Sequence, residues 1–115
     1  MRVGLHIELE EIEDRIILRI DGRIDAASVS ILERKVNNLL EEKHKHLLLD
    51  FSRVDYLSSA GMRVLLSLTK KLKADKGTLV LFSLNEDVEE IIKMAGFDKI
   101  LHIFSNEKEA LQSRK

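Results

Sequence analysis

The apolar positions along the chain change period several times, and each change predicts an element. Leu5, Ile7 and Leu9 alternate with His6, Glu8 and Glu10, and beyond Glu13-Asp14 the residues Ile16, Leu18 and Ile20 alternate with Ile17 and Arg19. Alternation of period two predicts an antiparallel hairpin with one apolar face. Its turn holds no glycine, so the pattern leaves the register loose. Asp21-Gly22 is expected to end the second strand. The stripe Val29, Leu32, Val36, Leu39 and Leu40 has helical spacing, with Asp25 as the expected N-cap. Leu47, Leu48, Leu49 and Phe51 form a nearly unbroken apolar run, which predicts a strand covered on both faces that leaves the sheet at Ser52.

Helical spacing returns at Met62, Leu65, Leu66, Thr69 and Leu72. A Lys76-Gly77 turn leads to a second apolar strand from Thr78 to Phe82. Ser83-Leu-Asn-Glu86 has the spacing of a capping box ahead of a short helix that carries Val88, Ile91, Ile92 and Ala95 and stops at Gly96. A brief apolar segment, Ile100 to Phe104, and a helix begun at Ser105 or Asn106 complete the order. Strands separated by crossover helices require parallel connections. The expected fold is therefore one α/β domain spanning residues 1 to 115, a mixed sheet with an N-terminal antiparallel hairpin followed by parallel strands, packed with about four helices.

Composition narrows the function classes. A chain of 115 residues can bury a core without staples, and it has no cysteine, which removes disulfides, thiolate nucleophiles and Cys-ligated metal. Nineteen basic and 20 acidic residues leave a net charge of −1, and aromatic residues make up only 4%, so direct nucleic-acid binding is not expected. No apolar run reaches the roughly 20 residues that span a bilayer, and Met-Arg-Val-Gly-Leu-His-Ile-Glu brings an acid too early for a signal peptide. A cytoplasmic protein without membrane association is expected.

The chemistry of interest lies where the central strand gives way to a helix, at Ser58-Ser59-Ala60-Gly61-Met62. A helix N-terminus offers unpaired N–H donors and partial positive charge, so it suits a hydroxyl cap and equally a phosphate. Either a serine here is only the N-cap, or one serine caps while its neighbour points outward as a modifiable hydroxyl. No Gly-x-Ser-x-Gly elbow or nearby histidine supplies a base for a nucleophilic serine, and the segment lacks the lysine and glycines of a P-loop. The chain is expected to be acted upon rather than to catalyse, and no cofactor is implied. His44 and His46 lie two apart, off one helical face, and are not expected to hold metal; nor are the single His6 and His102. Lys70, Lys71 and Lys73 read as a solvated helix end.

Asp50-Phe-Ser-Arg-Val-Asp-Tyr-Leu-Ser-Ser-Ala-Gly-Met62, preceded by Gly22-Arg-Ile-Asp25 and followed by Met94-Ala-Gly-Phe97, resembles the anti-sigma factor antagonists of bacteria, stand-alone members of the STAS domain family. The resemblance spans about Leu5 to Leu111. It implies phosphorylation of Ser59 by a partner that is both a serine kinase and an anti-sigma factor, and resetting by a serine phosphatase. It also implies that the dephosphorylated chain binds that kinase and frees a sigma factor, which it touches only indirectly. Asp25, Ser58, Ser59, Ala60, Gly61 and Met62 are then the implied partner-binding positions. Ser58 stands where the family has aspartate, and Ala60 where it has a second hydroxyl. The same family also contains subunits of larger assemblies, such as lipid transporters or stress-sensing complexes, and a small nucleotide-binding protein is the rival of a different class.

Overall fold

A two-residue turn at Glu13-Asp14 joins β1, Leu5–Ile12, to β2, Arg15–Ile24, in a continuous antiparallel register from Leu5↔Gly22 to Ile12↔Arg15. Glu13 supplies the left-handed conformation (φ 57°) for which such turns usually recruit glycine. The computed structural model describes residues 4–113. The hairpin is followed by α1, Val29–Glu41; β3, His46–Leu57; α2, Ser59–Ala74; β4, Thr78–Phe82; α3, Glu86–Met94; a 3₁₀ turn at Phe97–Lys99; β5, His102–Phe104; and α4, Glu107–Gln112. The strands lie in the order β1-β2-β3-β4-β5, antiparallel for the first pair and parallel thereafter. The mixed α/β sheet expected from the periodicities is the one observed.

The alternation along the strands sorts two cores. Ile16, Leu18, Ile20, Leu47, Leu49, Phe51, Leu79 and Leu81 join the stripes of α1, α2 and α3 in the larger one. Ile17, Leu48, Val80 and Phe82 face the other way and pack with Ala110 of α4. The hairpin's single apolar face is thus corrected: Ile17 is fully buried on the second face, whereas Leu9 on the edge strand β1 is 45% exposed. In α2 the buried stripe is Met62, Leu65, Leu68, Thr69 and Leu72, with Leu68 taking the place expected of the half-buried Leu66.

On the second face Arg19 gathers three carboxylates. It donates to Asp50 and Glu107 at 2.9 Å each and to Glu10 at 2.6 Å, which ties the start of α4 to the middle of the sheet. Asp50 is buried in β3 and also accepts from the Ser52 backbone N–H at 2.9 Å. Burial opposes its ionisation, but the Ser52 N–H and the Arg19 guanidinium outweigh it and hold the carboxyl below its ordinary range. The same carboxylates raise the pKa of Arg19.

Two strand ends differ from the sequence expectation. β2 does not stop at Asp21-Gly22 but runs to Ile24, because Gly22 adopts φ 128° and the pairing with β3 slips between Arg19 and Asp21 and again between Gly22 and Arg23. Glycine here makes a bulge, which re-aims a strand without ending it. β3 likewise does not leave the sheet at Ser52. It continues to Leu57 along β2, although its pairing with β4 ends at Asp50↔Phe82. Past Phe51 only Val54 and Leu57 are buried, a spacing of three that disguised the strand.

Caps explain the neighbouring helices. The α3 cap falls on Asn85 rather than Ser83, which takes φ 62° instead. Asn85 accepts from the Val88 N–H at 2.8 Å and donates to the Val54 carbonyl at 3.0 Å, so it also covers the flank of β3 that β4 leaves unpaired. Gly96 ends the α3 segment in the left-handed region (φ 79°), as the sequence suggested. Asn106 caps α4 by accepting from the Glu109 N–H at 2.9 Å.

Candidate functional site

β2 and β3 end side by side, and the two helices that follow them start together. The Ser58 N–H donates to the Ile24 carbonyl at 2.9 Å, which sews the α2 N-terminus to the last residue of β2. Ser58 has extended backbone (φ −84°, ψ 169°), and its hydroxyl accepts from the Gly61 N–H at 3.1 Å. It is the N-cap. Ser59 is the first helical residue and is exposed. One serine therefore caps while its neighbour faces solvent at the positive end of a sixteen-residue helix whose first turn holds no acidic residue.

Gly61 sets how closely α2 approaches the strands. A Cβ there would lie 2.7 Å from Ile24 Cγ2 and 3.1 Å from the Ile24 carbonyl oxygen, so no larger residue fits without displacing β2. Met62 is buried in the larger core. Both were among the implied partner-binding positions, and both are buried, so they support the site from beneath. Ala60 is half-buried beside Ser59.

Asp25 stands one residue past Ile24 and so borders Ser58. Its carboxylate accepts from the Ala27 and Ser28 N–H groups at 3.1 Å each, and its carbonyl accepts from the Val29 N–H at 2.9 Å. Helix α1 itself begins after Ser28, whose hydroxyl donates to the Arg23 carbonyl at 2.6 Å. The expectation that Asp25 is the N-cap is thus shifted by a turn: it organises the loop that delivers the chain into α1. Burial works against its charge but is overcome by the Ser28 and Ala27 hydrogen bonds and by Arg23, whose Nε lies 3.8 Å away, so the carboxyl stays below its ordinary range.

A pair that the sequence did not reveal completes the site. Arg23 and Tyr56 are register partners across β2 and β3, and the guanidinium carbon lies 4.3 Å from the ring centroid. Their pairing depends on the bulge at Gly22, so spacing along the chain could not disclose it. Three of the four histidines are engaged elsewhere: His46 shares a hydrogen bond with Thr78 Oγ1 at 3.1 Å, His44 lies 3.9 Å from Glu42, and His6 contacts Glu8 at 3.2 Å. Lys71 donates to Asn37 at 2.7 Å at the far end of α2.

A family model described as the STAS domain matches residues 6–110. The chain belongs to the STAS domain family. It is 31% identical to BtrV of Bordetella bronchiseptica, a candidate anti-sigma factor antagonist, over 92% of this chain and 90% of that protein. The anti-sigma-B factor antagonist of Bacillus subtilis is 26% identical over 96% of this chain and its whole length. Among solved structures, a candidate anti-sigma factor antagonist of Thermotoga maritima superposes with a TM-score of 0.87, at 21% identity and 92% coverage of each chain. This STAS chain thus shares its fold with proteins bearing that name. No helix among its described residues is long and apolar enough to cross a membrane.

Proposed function

We propose that this STAS chain is an anti-sigma factor antagonist, a non-enzymatic cytoplasmic binding protein switched by phosphorylation of Ser59. Unmodified, it binds an anti-sigma factor that is also a serine kinase and so releases a sigma factor that it never touches itself. Modified, it lets go until a serine phosphatase restores the hydroxyl. The observation that carries this is the division of labour between the two serines: Ser58 spends its hydroxyl on the Gly61 N–H, whereas Ser59 is exposed at the helix tip.

A phosphate on Ser59 adds about −1.5 to −2 charges where the α2 dipole tolerates them, so the chain keeps its fold. In the complex the same group meets a packed partner surface and imposes a clash and a desolvation cost. Ser58 supplies the cap, so Ser59 can be modified without unfastening the helix. Incubation with the anti-sigma factor kinase of the same organism and ATP is expected to place one phosphate on Ser59 by mass spectrometry. Modification that persists in Ser59→Ala would refute the assignment.

A further inference from the structure

We infer that Tyr56, with Arg23 stacked on its ring, is the anchor by which this chain engages the anti-sigma factor kinase; the inference rests on the partner binding just proposed. Tyr56 is the only tyrosine, and the chain has no tryptophan. Tyr56 is 37% exposed and belongs to neither apolar core. Arg23 is also exposed, with its Nε 3.8 Å from the Asp25 carboxylate. An exposed cation–π pair contributes only about 0.5–1 kcal/mol to a fold. Stability therefore gives little reason for a large aromatic ring at this position.

Geometry supplies a better one. A stable interface covers about 800 Å² of each partner, equivalent to a disc of roughly 16 Å radius. Tyr56 lies three positions before Ser59, a reach of at most about 11 Å even when fully extended. A footprint of that size centred on Ser59 is wide enough to reach Tyr56. Within such footprints, tyrosine and arginine carry a disproportionate share of binding energy, because a rigid amphipathic ring and a held guanidinium lose little entropy on docking. α4 covers the same sheet face lower down, around Leu48 and Val80, and β3 runs beyond its pairing with β4, so the Arg23–Tyr56 pair sits on the projecting end of the β2–β3 ribbon. The matching partner surface is an apolar cleft with a carboxylate at its rim facing Arg23. Affinity then comes mainly from Tyr56 and switching from Ser59.

Growth with 3-fluorotyrosine gives a protein with a single fluorine resonance, at position 56. Titration with the anti-sigma factor kinase should shift and broaden that signal, and Tyr56→Ala should raise Kd at least tenfold while its Tm falls by no more than the few degrees that loss of the Arg23 contact accounts for, and Tyr56→Phe stays close to wild type in both. A complex that forms with the fluorine signal unchanged, or with undiminished affinity in Tyr56→Ala, would overturn the inference and leave the proposed function standing. A much larger fall in Tm, with the affinity falling in step, would also overturn it, by assigning the ring a structural role. If the unmodified wild-type chain binds no kinase, the proposed function falls together with it.

Discussion

Ser58 and Ser59 are chemically identical and adjacent, yet one faces its own helix and the other faces solvent. Backbone conformation decides this, since the residue before the first helical turn is extended and can reach back to Gly61, whereas the next is already helical. Residue type and position offered that division as one of two readings and did not choose between it and a cap alone. Their neighbours Gly61 and Met62 were harder, because a motif lists residues without saying which point inward. At the same scale, Asp50 links pH to stability. Its folded pKa is depressed, so its contribution is complete above the unfolded value near 4 and is lost as pH falls through the lower folded value. Asp50→Asn removes one of the carboxylates held by Arg19 and should cost about 1–3 kcal/mol at neutral pH. Denaturant titrations from pH 7 down to pH 3 should show the variant losing less stability than wild type over the acid range.

At the scale of elements, alternating, continuous and helical apolar patterns together with helix start signals pointed to the five strands and four helices of the described residues, and the errors in their extent lie at strand ends. Asp21-Gly22 looks like a stop because glycine usually punctuates, but here it bends β2 and carries it three residues beyond Asp21, to Ile24. β3 looked finished at Ser52 because its far end pairs on one side only. That overhang, with the Arg23–Tyr56 pair, is the part of the site that sequence reading missed, since a bulge changes which residues meet without changing composition. Asn85 bridges the α3 cap and the unpaired flank of β3. Asn85→Ala should therefore destabilise by about 1–2 kcal/mol. Hydrogen exchange should show faster opening of α3 and of β3 past Asp50, with β4 little affected. Uniform acceleration across the sheet would contradict a local bridging role.

For the molecule as a whole, one face of the sheet is filled by three helices, and the second is held by α4 and the Arg19 network. Ser59, the proposed switch, lies where β2, β3 and α2 converge, on a frame braced from below by Gly61 and Met62. A frame of that kind favours a switch that works through surface charge over one that works by rearranging the fold. The most direct measurement is the affinity of the anti-sigma factor kinase for wild type and for Ser59→Asp, with the Tm of both chains recorded alongside. The account predicts a Kd at least tenfold weaker for the variant, about 1.4 kcal/mol, at an unchanged Tm. Equal affinity would contradict it.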